Sequence, residues 1–280
     1  MLRLYDAATR ELETIRPGHR GELRVLAVAP AVADPDDPDI GLLRAWLLPD
    51  QLRRTAERRS LVPAVYEITA PGEAGTAPGE AGTAPLAAGI GAALNIHPPA
   101  RIAPAGEPVA RMAEFAGGRP PAFDIGTGDT GWLAGLDIVR YHAAPTGIVT
   151  GGPHGDGPRR WSEMTDRDID PLALRLVFMH RRYRDSADVT WEILAGADKV
   201  LTGWRMSVAQ WANSPSAAMP ARYADAITAA FEDDLMAPIA LAELEALEAD
   251  PGVAPGAKFE TFAAADRLLG LDLARDIGRY

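Results

Sequence analysis

The chain has 280 residues, 47% of them hydrophobic, a formal charge of −11 at neutral pH and no cysteine. At roughly 100–200 residues per domain it can bury a sizeable core in one large domain or in one domain with an appendage. The absent cysteines exclude disulfides, thiolate catalysis and any cysteine-built zinc site, and the acidic balance works against a broad nucleic-acid surface, which rests on clustered Lys and Arg.

The segment Met1-Leu2-Arg3-Leu4-Tyr5-Asp6 lacks the apolar core of a signal peptide, and no run approaches the ~18 apolar residues of a membrane span. A cytoplasmic location without a membrane partner is therefore expected. Leu23-Arg24-Val25-Leu26-Ala27-Val28-Ala29-Pro30 is a short apolar run closed by proline and predicts a buried strand. Asp34, Asp36, Asp37 and Asp39 share the following loop. They read either as a solvated turn, with Asp39 near a helix N-terminus where the dipole stabilises a carboxylate, or as a site for a cation or an amine. Leu42 to Arg59 carries Leu43, Trp46, Leu47 and Leu52 at helical spacing, with Arg53, Arg54, Arg58 and Arg59 toward the end that favours cations. Pro49 inside this helix should kink it, because it removes a backbone donor and crowds the preceding turn.

Val62-Pro63-Ala64-Val65-Tyr66-Glu67-Ile68 predicts a second strand. The heptapeptide beginning at Pro71 recurs unchanged from Pro78 to Ala84, and Pro, Gly and Ala at this density make 70–88 an insertion read as a mobile surface loop. Two copies fall short of the about three that a repeat array needs. Ala122-Phe123-Asp124-Ile125 predicts another short strand, followed by Gly126-Thr127-Gly128-Asp129-Thr130-Gly131 and Trp132. That turn matches Gly-x-Gly-x-x-Gly, yet Pro145 and Gly147 interrupt the βαβ unit of a dinucleotide site. A nucleotide-facing turn and a plain tight turn both stay open.

His154, Arg159 and Arg160, on the glycine-rich loop that begins at Gly151, could close over an anionic ligand or stand as solvated charges. The five histidines, His19, His97, His142, His154 and His180, show no metal-ligand spacing, and no spacing of Ser, His and Asp singles out a triad. Beyond Thr165 the pattern is helical. Arg222 to Ala249 has a helical apolar period with Pro238 as a break or a helix start, and a last helix around Phe259 to Leu271 ends near Gly270. Strand and helix signals followed by helices alone predict an α/β parallel-sheet domain over 1–165 and an all-α helical bundle over 166–280.

Several segments bear a likeness to one family. Asp170-Pro171-Leu172-Ala173-Leu174-Arg175, His180-Arg181-Arg182-Tyr183-Arg184 and Trp191-Glu192-Ile193-Leu194 resemble the stretch of cysteinyl-tRNA synthetases that joins the catalytic domain to the helical bundle. Phe231-Glu232-Asp233-Asp234-Leu235 through Leu241 resembles the family's acidic helix motif. Ala265-Asp266-Arg267-Leu268-Leu269-Gly270-Leu271 is similar to the mycothiol-pathway branch, the cysteine:glucosaminyl-inositol ligases. Leu2 to Asp6 and Leu94-Asn95-Ile96-His97-Pro98-Pro99 fit the family's opening strand and second-half entry. The resemblance implies a Rossmann-like class I synthetase sheet domain of the HUP type followed by helices.

It also implies an activity, cysteine activation by ATP, with histidines of a His-Ile-Gly-His motif stabilising the triphosphate. Asp39-Ile40-Gly41-Leu42 occupies that place, so a carboxylate and an alkyl group stand where the histidines would be. The Lys-Met-Ser-Lys-Ser loop should fall between Gly147 and Asp170, where Gly151 to Arg160 contains no lysine. Val28 takes the family's first zinc-cysteine position and Leu136-Asp137-Ile138 its His-His-Glu stretch. The expectation is a repurposed paralogue that no longer forms an aminoacyl-adenylate and serves ligand binding, regulation or a different reaction in a specialised biosynthetic pathway. The alternative is an ATP-dependent amino-acid ligase of altered selectivity. The expected pocket comprises Pro30, Asp34, Asp39, Gly41, Gly126, Gly128, Asp129 and Trp132, with His154, Arg159 and Arg160 on a loop over it. No catalytic residue is assigned. Zinc is not expected, ATP is left open, and the expected partner is a small-molecule ligand, with a protein partner open and tRNA not expected.

Overall fold

The longest apolar run of the first half forms the centre of a parallel sheet. The computed structural model describes residues 1–6, 9–30, 32–69, 86–103, 114, 123–128, 149–150 and 155–279. A small antiparallel pair, β1 (Arg3–Tyr5) and β2 (Leu12–Thr14), precedes β3 (Glu22–Ala29), α1 (Ile40–Arg58), β4 (Val62–Thr69), α2 (Ala88–Ala93), β5 (Arg101–Ile102) and β6 (Ile125–Thr127). The sheet order is β5-β4-β3-β6, all parallel, with Val25 opposite both Val65 and Ile125. Leu23 and Val25 through Ala29 are buried, which is why β3 reads as a nearly continuous apolar run instead of an alternating one.

The helix α1 is the hinge of the architecture in the packing sense. Ile40, Leu43 and Leu47 join the core of the later helices, Leu48, Leu52 and Ala56 pack on the sheet with Val25 and Ile125, and Trp46 packs with Ala29 and Val32. A helix covered on several sides carries buried residues around most of its circumference, and its polar ones must then find partners. It runs through Pro49 as one helix from Ile40 to Arg58, so the expected kink does not divide it. It also begins two residues before the predicted start at Leu42, because Asp39 supplies the cap.

After β7 (Val149–Thr150) come α3 (Trp161–Thr165), α4 (Pro171–Met179), β8 (Ala187–Asp188), α5 (Trp191–Trp211), α6 (Ala221–Glu232), α7 (Ala237–Ala249) and α8 (Pro255–Leu269). The region beyond Thr165 is therefore not purely helical: Ala187 and Asp188 pair in parallel with Val149 and Thr150. A two-residue strand is too short to leave a period in the sequence. The strand expected over Ala122–Ile125 is Ile125–Thr127, with Asp124 a bend ahead of it whose carboxylate accepts the Arg24 amide at 2.9 Å. Ala122 lies outside the described residues, as does the heptapeptide repeat at 71–84.

Caps end the later helices where their residues suggest. The Asp170 carboxylate accepts from Leu172 N at 2.9 Å, and Thr190 Oγ1 accepts from Ile193 N at 3.2 Å. Pro238 sits in the first turn of α7 and starts that helix, and Gly270 closes α8 at φ +66°. Asp234, in the turn between α6 and α7, accepts hydrogen bonds from Tyr5 N at 2.9 Å and Tyr183 Oη at 2.6 Å, which pins β1 to the helices. The result is an α/β Rossmann-like parallel sheet followed by helices, with one apolar cluster running from Ile40 of α1 to Leu273 beyond α8. Among the described residues no helix is long and apolar enough to cross a membrane.

Candidate functional site

The loop from Val32 to Asp39 carries the chain from the C-terminal end of β3 to the N-terminal end of α1, where open α/β sheets present ligand sites. Asp34 organises this loop: its carboxylate accepts from Asp36 N at 3.1 Å and its carbonyl from Asp37 N at 3.3 Å. Asp39 caps α1, accepting from Gly41 N at 2.7 Å. The neighbouring amides are occupied too, Ile40 N by Arg159 O at 2.9 Å and Leu42 N by Asp39 O at 3.0 Å. The first turn of α1, whose unsatisfied N–H groups would attract an anion, thus bonds to the protein itself.

Arg159 and Arg160 are brought to the same place. Asp39 and Arg160 form an antiparallel bridge, Arg160 Nη1 donates to Asp37 O at 2.9 Å, and Ser162 N donates to the Asp37 carboxylate at 2.8 Å. Trp161 N donates to Pro38 O at 3.0 Å. Both arginines remain exposed. So Asp34, Asp39, Gly41, Arg159 and Arg160 belong to one structured patch, with arginines beside carboxylates.

Pro30 ends β3, and Gly126 lies beside it on β6, opposite Leu26. Gly128 has φ +83°, and a Cβ there would stand 2.3 Å from Val28 O, so only glycine lets this turn approach β3 so closely. Asp129, Trp132 and His154 lie outside the described residues. For the zinc that the resemblance brings to mind, the donor set does not fit: the chain has no cysteine, and among the described residues no three of His, Asp and Glu gather as a metal group.

The polar network that reading by sequence missed lies deeper on α1. Asp50 is buried; its Oδ2 accepts from Arg54 Nε at 2.8 Å and Arg175 Nη2 at 2.7 Å, and its Oδ1 accepts from His97 N at 3.0 Å. The His97 Nδ1 is 2.7 Å from the same Oδ1. Burial alone would raise the carboxyl's pKa, but Arg175, His97 and Arg54 outweigh it and hold Asp50 well below the usual carboxylate range. Arg175 also donates to Leu269 O at 2.6 Å and Leu94 O at 3.1 Å, joining α4 to α8 and α2. Arg44, nearer the start of α1, donates to Asp185 O and Arg182 O, and burial lowers its pKa to about 10 against the raising effect of Asp185. In the sequence the only trace of this network was that Asp50 and Arg54 stand four residues apart on the predicted helix, among apolar residues.

No family model matches the chain. It is 37% identical over 106 residues to the L-cysteine:1D-myo-inositol 2-amino-2-deoxy-alpha-D-glucopyranoside ligase of Thermobispora bispora, an overlap covering 38% of this chain and 25% of that protein. The ligase of the same name from Nocardiopsis dassonvillei matches at 29% over 181 residues, 55% of this chain and 42% of the relative. A cysteine–tRNA ligase of Novosphingobium aromaticivorans matches at 42% over 60 residues, 21% of this chain and 12% of the relative. The matched stretch spans about a quarter of the length of the Thermobispora bispora ligase. A parallel sheet followed by helices, with partial matches to both kinds of cysteine ligase, supports the likeness of this chain to the cysteinyl-tRNA synthetase-like family.

Proposed function

We propose that this chain is a cysteine-ligase-like protein that no longer forms an aminoacyl-adenylate and is repurposed to bind a small molecule, for regulation or for a different reaction in a specialised biosynthetic pathway. The observation that supports this reading is the N-terminal turn of α1. Adenylate formation builds negative charge on a triphosphate, and catalysis requires preorganised donors and positive charge there. In this chain the amides of Ile40, Gly41 and Leu42 already donate within the protein, and the Asp39 carboxylate takes the positive end of the helix dipole. A carboxylate at that position opposes an incoming triphosphate electrostatically.

One observation favours the alternative, an ATP-dependent amino-acid ligase of altered selectivity: Arg159 and Arg160 are exposed beside the same turn. ATP–pyrophosphate exchange with cysteine and each other amino acid separates the two. No exchange above background is expected. Exchange that depends on one amino acid and is lost in Arg159→Ala/Arg160→Ala would establish the ligase instead.

A further inference from the structure

A cleft lies away from the α1 N-terminus, between later turns of α1, the strand β4 and the segment from α2 to β5. It encloses about 300 Å³, at the small end of ligand pockets. Trp46, Val65, Leu86, Ile96, Pro98 and Ile102 make its apolar lining, and Asp50, Arg53, Glu67 and His97 are its charged or titratable members. Glu67 is the anomaly. It is 5% exposed, in the middle of β4, and its register neighbours are Ala27 on β3 and Ile102 on β5, which offer it nothing polar from their side chains.

The Glu67 Oε1 is buried with no hydrogen-bond partner, and the polar group directed at this carboxyl, the Trp46 indole N–H, is neutral and supplies no counter-charge. Buried carboxylates are normally paired, since an ion taken out of water needs compensating charge. The cleft's other polar donors are committed elsewhere. Arg53 donates to Glu57 Oε1 at 3.0 Å and Pro98 O at 3.1 Å, and His97 is held by Asp50, which Arg54 and Arg175 already neutralise. Asp50 therefore does not compete for a second cation, and Glu67 is left as the one described carboxyl in the cleft without one. Burial raises the Glu67 pKa, partly offset by Trp46, as expected for a carboxyl that lacks its counter-ion.

We propose that this cleft is a binding site for a small organic amine, with the apolar body packed between Trp46, Ile96 and Ile102 and the ammonium group paired with the Glu67 carboxylate. One carboxylate at the end of an apolar cleft suits a single ammonium; it provides too few oxygens for a metal ion. The site is independent of whether the chain forms an adenylate, since none of its lining residues belongs to the first turn of α1.

Calorimetric titration of the full chain with benzylamine and with benzyl alcohol, which differ by the charged group, tests this. Benzylamine is expected to bind at least tenfold more tightly than the alcohol, and Glu67→Gln to remove that preference. In Gly91→Phe both probes should lose binding: Gly91 lines the cleft, and a Cβ there meets nothing within 4 Å, so the added ring fills the cleft without a backbone clash. Should Glu67→Gln fail to fold, Gly91→Phe decides alone. No saturable benzylamine binding at millimolar concentration, equal binding of amine and alcohol, or amine binding that survives the substitutions would overturn the proposal.

Discussion

At the scale of single residues, two carboxylates on α1 do opposite things. Asp39 is exposed and caps the helix through one hydrogen bond, so Asp39→Ala should lower stability by about 1 kcal/mol in urea unfolding, the usual cost of losing a cap. Asp50 is buried against two guanidinium groups. Asp50→Asn leaves both arginines short of charge and should cost about 3–5 kcal/mol. The two also differ in pH dependence. Since the folded pKa of Asp50 is depressed, its contribution is fully present above the ordinary carboxylate range and is lost as the pH falls below it. Urea unfolding at neutral pH and at about pH 3 should show a smaller loss on acidification in Asp50→Asn than in the unaltered chain. Asp39 was legible in the sequence because a cap is a local device. Asp50 was not, because its partners His97 and Arg175 lie 47 and 125 residues away, and nothing in one sequence aligns such positions.

At the scale of elements, close approach decides what can change. Gly128 lets the end of β6 lie against Val28, with φ +83° and no room for a Cβ, so Gly128→Ala should destabilise by more than about 1 kcal/mol. Gly270 is similar: at φ +66° a Cβ would come within 2.8 Å of Arg54 Cζ, disturbing the arginine that pairs with Asp50. Gly91→Ala, in a helix and facing open space, should be neutral or stabilising by roughly 0.5–1 kcal/mol. Thermal unfolding of the three variants ranks them directly. β3, α1 and β4 were readable because each carries a long apolar pattern. The Ile125–Thr127 and Ala187–Asp188 strands were misplaced or missed because two or three residues hold no period, and their pairing partners, not their own sequence, make them strands.

At the scale of the whole molecule, the sequence suggested a boundary at residue 165, where strand signals give way to helices. The packing crosses it: Ile40, Leu43 and Leu47 of α1 share one apolar cluster with α4 to α8, and Arg175 and Arg54 tie α1, α2, α4 and α8 through a shared carboxylate and backbone carbonyls. Unfolding followed by tryptophan fluorescence and by far-ultraviolet circular dichroism should therefore give coincident transitions; two separated transitions would mean that the sheet and the helices hold together independently. The same arrangement bears on the proposed function, because the helix that anchors the core also presents its first turn at the C-terminal edge of the sheet, already hydrogen-bonded and capped by Asp39. The most direct measurement is calorimetric titration of the full chain with magnesium–ATP. The expected result is no heat beyond dilution up to millimolar nucleotide, whereas a saturable isotherm weakened by Arg159→Ala/Arg160→Ala would contradict the reading of that turn as closed to triphosphate.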